Sequence, residues 1–302
     1  MTSSVGTSAQ RSTSEAKSTK LRKQQKKNHG VNPWIPNQHG AWAMLILPVV
    51  VGLVTAMITS PVGIGFHMMV GMLAIVVAWV MGYFCFFAFG LWFKARSAAR
   101  KKAYVKPTVV YGGITAVATT VAFVFHPWLV GWVVPFAPLI AIALWELYHS
   151  RPRSLASGIS TTVASSLMYP VMVSAGAGYF IAFSPGVLTT TLLIGLYFTG
   201  TIFYVKTIIR EKGNTQFHRV SVIYHVLSLV ALVPIAFLMT FDAYLITGLA
   251  GIIVLLTSLA RAIVVPRLAT KNPQQWTPKL AGIREIPLVL VLGIGCCLTY
   301  VI

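Results

Sequence analysis

The positively charged residues of this chain separate long apolar segments from one another in a regular way. All 24 Lys and Arg residues fall in the N-terminal tail or in every second connection, and the connections near 60–66, 126, 183–185 and 240–242 have none. Only 10% of the residues are charged and 56% are hydrophobic. A soluble domain carries about 25% charged residues. The chain is therefore predicted to be an all-α protein that crosses a membrane many times.

The apolar segments have the length that a membrane-crossing helix requires. An α-helix needs about 20 apolar residues to cross the hydrocarbon core of a bilayer. Nine segments qualify, at 40–59, 67–93, 107–125, 127–148, 154–182, 186–205, 219–239, 243–264 and 284–302. An excess of Lys and Arg marks the cytoplasmic connections. We therefore expect a polytopic bundle of about nine transmembrane helices, with the N-terminus in the cytoplasm and the C-terminus outside.

The N-terminal tail differs in composition from the rest of the chain. Residues 1–35 are polar and basic, which predicts a disordered cytoplasmic tail, and residues 36–302 are predicted to form the transmembrane domain. A net charge of +19 would also suit a nucleic-acid-binding protein. Because the charges are spread over loops, an anionic cytoplasmic leaflet explains them better. The expected partner is the lipid bilayer, and nucleic acid is not expected.

The sequence does not predict a metal site or a cofactor. The three cysteines lie inside apolar segments and show no ligand spacing. Glu146 and His149 have the i, i+3 spacing of helical di-iron sites, but no second motif of that kind is present. Nothing in the sequence fixes a common geometry for the remaining histidines, and the cofactor prediction is none.

Candidate binding residues collect at the predicted cytoplasmic ends of the helices, where ionisable groups at membrane depth point to function. They are His39, Trp42, Lys94, Arg96, Glu146, His149, Arg151, Arg153, Lys206, Arg210, His218, Tyr224 and His225. Together they predict a basic vestibule that opens to the cytoplasm. The alternative is that these side chains only pair with one another and extend to the interface.

Within this set, two arrangements are expected. Glu146 is predicted to face a basic neighbour, such as His225 or Arg210, at the floor of the vestibule. His218 and His225 lie two helical turns apart and should share one face of their helix. His39 and His225 are the candidates for groups that take up and release a proton.

The nine predicted spans, with large cytoplasmic connections after the second and the sixth, resemble the layout of UbiA-type prenyltransferases. Those enzymes carry aspartate-rich motifs after their second and sixth helices, which hold magnesium against a prenyl diphosphate. This chain has basic residues at the corresponding places, in 94–100 and 206–212. Basic side chains bind phosphate directly, but they do not support the metal-assisted step.

The segment that opens the first helix carries a more specific resemblance. Residues 36–44, Pro-Asn-Gln-His-Gly-Ala-Trp-Ala-Met, are followed by Pro48 and resemble the opening of the YwiC-like family of bacterial membrane proteins. Gly40 and Ala41 would permit close approach of another helix. The resemblance implies a protein of the bacterial inner membrane, multi-pass, and it supplies no catalytic residues.

Three functions remain open at this point. The first is binding or transport of an anionic small molecule or lipid headgroup at the basic vestibule. The second is a UbiA-like transferase that acts on an isoprenoid phosphate without the aspartate–magnesium site. The third is a membrane scaffold without catalytic activity. Substrate, direction of transport and oligomeric state do not follow from the sequence.

Overall fold

The described part of the chain is helical throughout. A computed structural model describes residues 31–36, 40–60, 63, 65–181, 184–238, 245–271 and 275–298, with side chains of 233–238 excluded. Its α-helices are α1 (Ala41–Thr59), α2 (Phe66–Lys94), α3 (Ala98–Phe125), α4 (Val133–Tyr148), α5 (Leu155–Ala177), α6 (Pro185–Ile209), α7 (Thr215–Leu238), α8 (Leu245–Lys271) and α9 (Pro278–Leu298). A 3-10 helix, Pro127–Trp132, precedes α4. The prediction of an all-α fold is confirmed.

Seven of the segments are long and apolar enough to cross a membrane. Among the described residues these are α1, α2, α3, the run Pro127–Tyr148, α6, α8 and α9. The predicted spans 154–182 and 219–239 are helical but are not among the seven. Buried Ser and Thr residues lower the hydropathy of α5, and α7 opens with several polar residues. The chain is a polytopic membrane helix bundle, and the number of crossings and the orientation stay predictions.

The chain divides into two compact units. One comprises Met1–Pro36 and Phe84–Val110, and the other comprises Asn37–Tyr83 and Tyr111–Ile302. The predicted boundary between a tail and a transmembrane domain at residue 36 stays a prediction, because residues 1–30 lie outside the described part of the chain.

In the larger unit, α1 packs against α5 at a proline. Pro48 has no N–H, so the carbonyl of Met44 lacks its usual helical donor. The Ser165 hydroxyl of α5 donates to that carbonyl. At Gly52, a Cβ would lie 2.8 Å from the Tyr169 carbonyl oxygen. The close approach expected at Gly40 therefore occurs at Gly52, three helical turns later, and a Cβ at Gly40 would meet nothing within 4 Å.

The last two helices extend further than the apolar segments predicted. α8 runs to Lys271 rather than to 264, and α9 begins at Pro278 rather than at 284. The Thr277 hydroxyl accepts a hydrogen bond from the Leu280 N–H at 3.3 Å, and Pro278 suits the first helical position. As a result, Arg261 and Glu285 lie inside helices instead of at their ends.

The core of the larger unit surrounds α6, which packs against α5, α7, α8 and α9. Tyr197 and Phe198 of α6 are almost fully buried, together with Tyr169 of α5, Leu255 of α8 and Leu292 of α9. Side chains of α6 therefore meet those of the three helices that follow it. Polar groups among them have little access to water.

Candidate functional site

The connection between α4 and α5 is a short turn that holds two arginines. Glu146, one turn before the end of α4, accepts a hydrogen bond from the Arg151 guanidinium at 3.3 Å. This carboxylate is buried whereas Arg151 is exposed. Ser154 then caps α5 by accepting from the Ser157 N–H at 3.0 Å. The cap and the ion pair fix the backbone on both sides of Arg153.

The connection between α6 and α7 is equally short. Arg210 ends α6, with its N–H donating to the Lys206 carbonyl at 2.9 Å. Gly213 adopts φ +81°, a left-handed conformation that glycine accommodates. Asn214 caps α7 by accepting from the Phe217 N–H at 3.0 Å, and its amide donates to Glu211 at 3.0 Å. The segment 210–214 is thereby a defined turn.

These two turns meet through their arginines. Arg210 Nη1 donates to the carbonyl oxygen of Arg153 at 3.1 Å. Partial burial, together with the positive charge of Arg153, lowers the pKa of the Arg210 guanidinium. The two ion pairs found in the described part of the chain, Arg151–Glu146 and Arg261–Glu285, include neither residue. Arg153 and Arg210 are therefore a pair of like charges; we call it the arginine pair.

Other predicted site residues lie on the same connections or on the helices that they join. Lys206 lies over the ring of Phe217, 5.7 Å from its centroid. His149 Nδ1 is 2.9 Å from the Trp145 carbonyl oxygen. Tyr224 stacks on Phe203 with centroids 4.7 Å apart. Aromatic contacts thus line the ends of α4, α6 and α7.

The remaining predicted site residues belong to other parts of the chain. His39 lies outside the described residues, and Trp42 on α1 packs edge-on against Tyr83 with centroids 6.1 Å apart. Lys94 and Arg96 belong to the smaller unit, where Arg96 is exposed. The predicted contact of Glu146 with His225 or Arg210 is replaced by the contact with Arg151. The pairing is local because Arg151 follows in the same turn.

A second group of polar residues, which the sequence analysis did not identify, lies inside the helix bundle. Arg261 of α8 and Glu285 of α9 form a bidentate ion pair, with Nη1–Oε1 at 2.6 Å and Nη2–Oε2 at 3.1 Å. The Tyr197 hydroxyl of α6 donates to Glu285 Oε2 at 3.0 Å. The single hydroxyl hydrogen of Thr201 is shared between the Tyr197 carbonyl oxygen, at 3.2 Å, and Glu285 Oε2, at 3.3 Å. These four residues form what we call the buried ion-pair cluster.

An aromatic ring supports the basic member of this cluster. The Arg261 guanidinium lies 4.8 Å from the centroid of the Tyr204 ring. Attraction between a cation and a ring face strengthens when both are shielded from water. Arg261 Nε is nevertheless buried without a hydrogen-bond partner.

His225, a predicted site residue, lies beside this cluster. It is 2% exposed, and it packs against α6 beside Thr201 of the cluster, at Gly200. Its Nδ1 is 2.7 Å from the Ser221 carbonyl oxygen, and its Nε2 is buried without a partner. The backbone of Gly200 on α6 leaves room for the ring, since a Cβ there would lie 3.0 Å from Nε2. His218, two turns earlier, contacts the Ala262 carbonyl oxygen at 2.9 Å.

The sequence contained a signal for the missed residues. The chain has only five acidic residues, and an acid within an apolar segment is rare enough to be noticed. The predicted span 284–302 places Glu285 at a helix end, whereas α9 begins at Pro278. Arg261 lies close to the end of the predicted span 243–264, where a basic residue also suits a connection.

No group of three or more His, Cys, Asp or Glu residues within the described ranges is arranged to hold a metal ion.

Comparison with known proteins identifies relatives of the first part of the chain. Residues 35–173 match the family model described as "YwiC-like protein". Over 200 residues the chain is 28% identical to "Uncharacterized protein YwiC" of Bacillus subtilis, covering 64% of this chain and 74% of that protein. It is 24% identical over 195 residues to an "Uncharacterized protein" of Haemophilus influenzae, with the same two coverages. No solved structure matches. The resemblance drawn from residues 36–44 is thereby confirmed.

Proposed function

We propose that this YwiC-like membrane protein binds an anionic group at the arginine pair and serves as a binder or transporter of an anionic small molecule or lipid headgroup. The observation that carries the proposal is the hydrogen bond from the Arg210 guanidinium to the main-chain carbonyl oxygen of Arg153, which joins two helix turns that each carry an arginine. The chain would do this in the bacterial inner membrane, on the side that the distribution of Lys and Arg predicts to be cytoplasmic.

Electrostatics supports an anion at this place. Partial burial and, after it, repulsion by the positive charge of Arg153 lower the pKa of Arg210. Arginine still keeps its charge in proteins, so the repulsion is not relieved by loss of a proton. A phosphate or carboxylate between the two groups would relieve it. Guanidinium binds such groups through two parallel hydrogen bonds.

The nearest acids are already occupied. Glu146 pairs with Arg151, and Glu211 accepts from the amide of Asn214. Both acids are held by the same turns that present the arginine pair. Among the described residues, neither acid forms an ion pair with Arg153 or Arg210.

The two turns are also firmly built. Ser154 and Asn214 cap the helices that follow them. Preorganised donors bind more tightly because less conformational freedom is lost on binding. The arginine pair would therefore recognise a particular anion geometry, beyond the general attraction of basic loops to anionic lipid.

Thermal unfolding of the purified protein tests this proposal with inorganic phosphate as the probe. A ligand that binds the folded state raises the midpoint of unfolding in proportion to its occupancy. Phosphate is expected to raise the midpoint of the wild type but not that of Arg210→Gln. Arg219→Gln, which removes an exposed charge from the first turn of α7, is the matched control and should respond as the wild type does.

The source of the anionic group is then distinguished by adding short-chain phosphatidic acid in place of phosphate. A response to both probes indicates a soluble anion or a headgroup, and a response to phosphatidic acid alone indicates a lipid ligand. An equal response of all three proteins to either probe would contradict binding at the arginine pair and favour a scaffold.

A further inference from the structure

A proline interrupts the hydrogen bonding of α8 close to the buried ion-pair cluster. Pro266 lies inside this helix and has no N–H, so the carbonyl of Ala262, four residues earlier, lacks its usual helical donor. Ala262 is fully buried. A buried carbonyl group without a hydrogen-bond partner costs free energy, so the fold requires another donor at this position.

The missing donor comes from α7. His218 lies in the first turn of this helix, and its Nε2 is 2.9 Å from the Ala262 carbonyl oxygen. A carbonyl oxygen accepts hydrogen bonds only, so Nε2 carries the hydrogen and donates it. The same arrangement occurs in α1, where Pro48 frees the Met44 carbonyl and the Ser165 hydroxyl of α5 donates to it. In both places a neighbouring helix supplies the donor that the proline removed.

The two parts of α8 on either side of this interruption are held by different contacts. Before it, Arg261 forms the bidentate ion pair with Glu285 of α9, and Leu255 belongs to the main apolar core. After it, Ala269 packs in a separate, smaller apolar cluster that includes Ile208 of α6. Prolines are the commonest cause of sharp bends in helices. The segment 262–266 therefore divides α8 at a point where the helix is able to bend.

His218 also connects this point of α8 to the turn that carries Arg210. The His218 N–H donates to the Asn214 carbonyl oxygen at 3.0 Å, and Asn214 is the cap that ends the segment 210–214. α7 begins directly after that segment. A displacement of the turn therefore carries His218 with it, and the hydrogen bond to Ala262 passes the displacement on to α8.

We propose that the segment 262–266 is a hinge in α8 and that His218 is the latch that holds this hinge in the observed arrangement. With the hydrogen bond made, the Ala262 carbonyl is satisfied and α7 is fixed to α8. When the bond breaks, the carbonyl needs a new donor, and the part of α8 after Pro266 moves separately from the part that Arg261 anchors. Hinges of a few residues are a common means of moving one part of a protein against another. The inference does not depend on an anion at the arginine pair.

Hydrogen–deuterium exchange of the full-length protein in lipid nanodiscs tests this inference. The amides of 267–271, which follow the proline, report the opening of the hinge. His218→Leu removes the donor and is expected to speed their exchange about two- to tenfold, as for the loss of one hydrogen bond. His218→Gln keeps an N–H donor in its side chain and should restore exchange close to that of the wild type. His149→Leu is the matched control, because the ring of His149 contacts a carbonyl oxygen of its own helix, that of Trp145.

A second background separates the latch from a general packing role of His218. Pro266→Ala provides an N–H at position 266, which donates to the Ala262 carbonyl and completes the helix. In this background His218→Leu should leave the exchange of 267–271 unchanged. If His218→Leu alone does not fold, the double variant is expected to fold, because it leaves no carbonyl of α8 unpaired at this place.

Either of two results would overturn the inference. One is exchange of 267–271 at the wild-type rate in His218→Leu, which would mean that the hydrogen bond does not hold the hinge. The other is an effect of His218→Leu that is the same with Pro266 and with Ala at that position, whether on exchange or on folding. His218 would then act through packing and not through the carbonyl that Pro266 frees.

Discussion

Arg261 and Glu285 are joined side-on inside the helix bundle, through two hydrogen bonds of 2.6 and 3.1 Å. The pair connects α8 to α9, and Tyr197 and Thr201 extend it to α6. Its members were brought together because both helices are longer than their apolar segments suggested. Both members of the pair lie within helices, and Glu285 is buried.

A thermodynamic cycle on this pair has a definite expected result. Arg261→Met alone leaves the Glu285 carboxylate buried without its partner, which costs about 3–5 kcal/mol of unfolding free energy. Glu285→Leu alone is expected to cost a similar unfolding free energy, because it leaves the Arg261 guanidinium buried without its partner. The double variant should recover most of this loss, because neither charge remains. Reversible unfolding in mixed detergent micelles measures the three differences.

Additive losses would contradict that expectation. If the double variant lost the sum of the two single losses, the residues would act independently, in conflict with the bidentate geometry.

Gly200→Ala is expected to destabilise the protein and to disturb His225. A Cβ at position 200 would lie 3.0 Å from His225 Nε2, closer than ordinary van der Waals contact. Overpacking of this kind costs roughly 1–3 kcal/mol. Thermal unfolding and the NMR signals of His225 both report the change.

Gly113→Ala is the matched control for that substitution. It lies within α3, and a Cβ there meets nothing within 4 Å. Alanine is favoured over glycine in a helix by up to about 1 kcal/mol. This control should be neutral or slightly stabilising, and an equal effect of both substitutions would contradict a specific contact at Gly200.

His126 should make the protein less stable as the pH falls. It lies between α3 and the 3-10 helix, where burial and then the nearby His67 lower its pKa below the ordinary value of about 6.5. The unfolded chain thus binds a proton more readily than the folded chain. The stabilising contribution is complete above the ordinary value and is lost as the pH falls from there through the lowered value.

Thermal unfolding between about pH 7.5 and pH 5 measures this dependence for wild type, His126→Asn and the exposed control His149→Asn. His126→Asn should reduce the dependence and His149→Asn should not. If the stability of His126→Asn depends on pH as strongly as that of the wild type, a group other than His126 causes the dependence.

The orientation of the chain is tested by one reporter at the C-terminus and a second in the connection between α6 and α7. Lys and Arg in alternate connections predict that the N-terminus is cytoplasmic and the C-terminus is outside. Alkaline phosphatase fused after residue 302 should be active, since it folds only outside the cytoplasm, and fused after residue 212 it should be inactive. An inactive fusion after residue 302 together with an active fusion after residue 212 would contradict the predicted orientation of the nine spans.

Much of the fold followed from hydropathy and charge alone. Period and length of the apolar segments predicted helices, and the spacing of Lys and Arg predicted their connections. Helix ends were less predictable, because Thr277 and Pro278 start α9 before its sequence becomes apolar. Tertiary pairing with Arg261 then allows the charged side chain of Glu285 to be buried.

The candidate binding site stays a prediction. Arg153 and Arg210 were both named as members of the vestibule, and the Arg210 guanidinium donates to the Arg153 carbonyl oxygen. The partner of Glu146 was not predictable, since Arg151, His225 and Arg210 are all plausible from sequence and only the turn selects Arg151. The contact of Ser165 with Met44, 121 residues apart, was not predictable for the same reason. The sequence shows that Pro48 leaves the Met44 carbonyl without its helical donor, but it does not show that Ser165 supplies the hydrogen bond.

Native mass spectrometry of the protein released from gentle detergent tests the central claim, anion binding at the arginine pair, most directly. Wild type, Arg210→Gln and the control Arg219→Gln are compared. An anion of defined mass is expected on the wild type and the control, bound about 10- to 100-fold more weakly by Arg210→Gln, as for the loss of a charge-assisted hydrogen bond. A prenyl phosphate as that anion would favour the transferase. Bulk phospholipid alone, retained equally by all three proteins, would contradict the account.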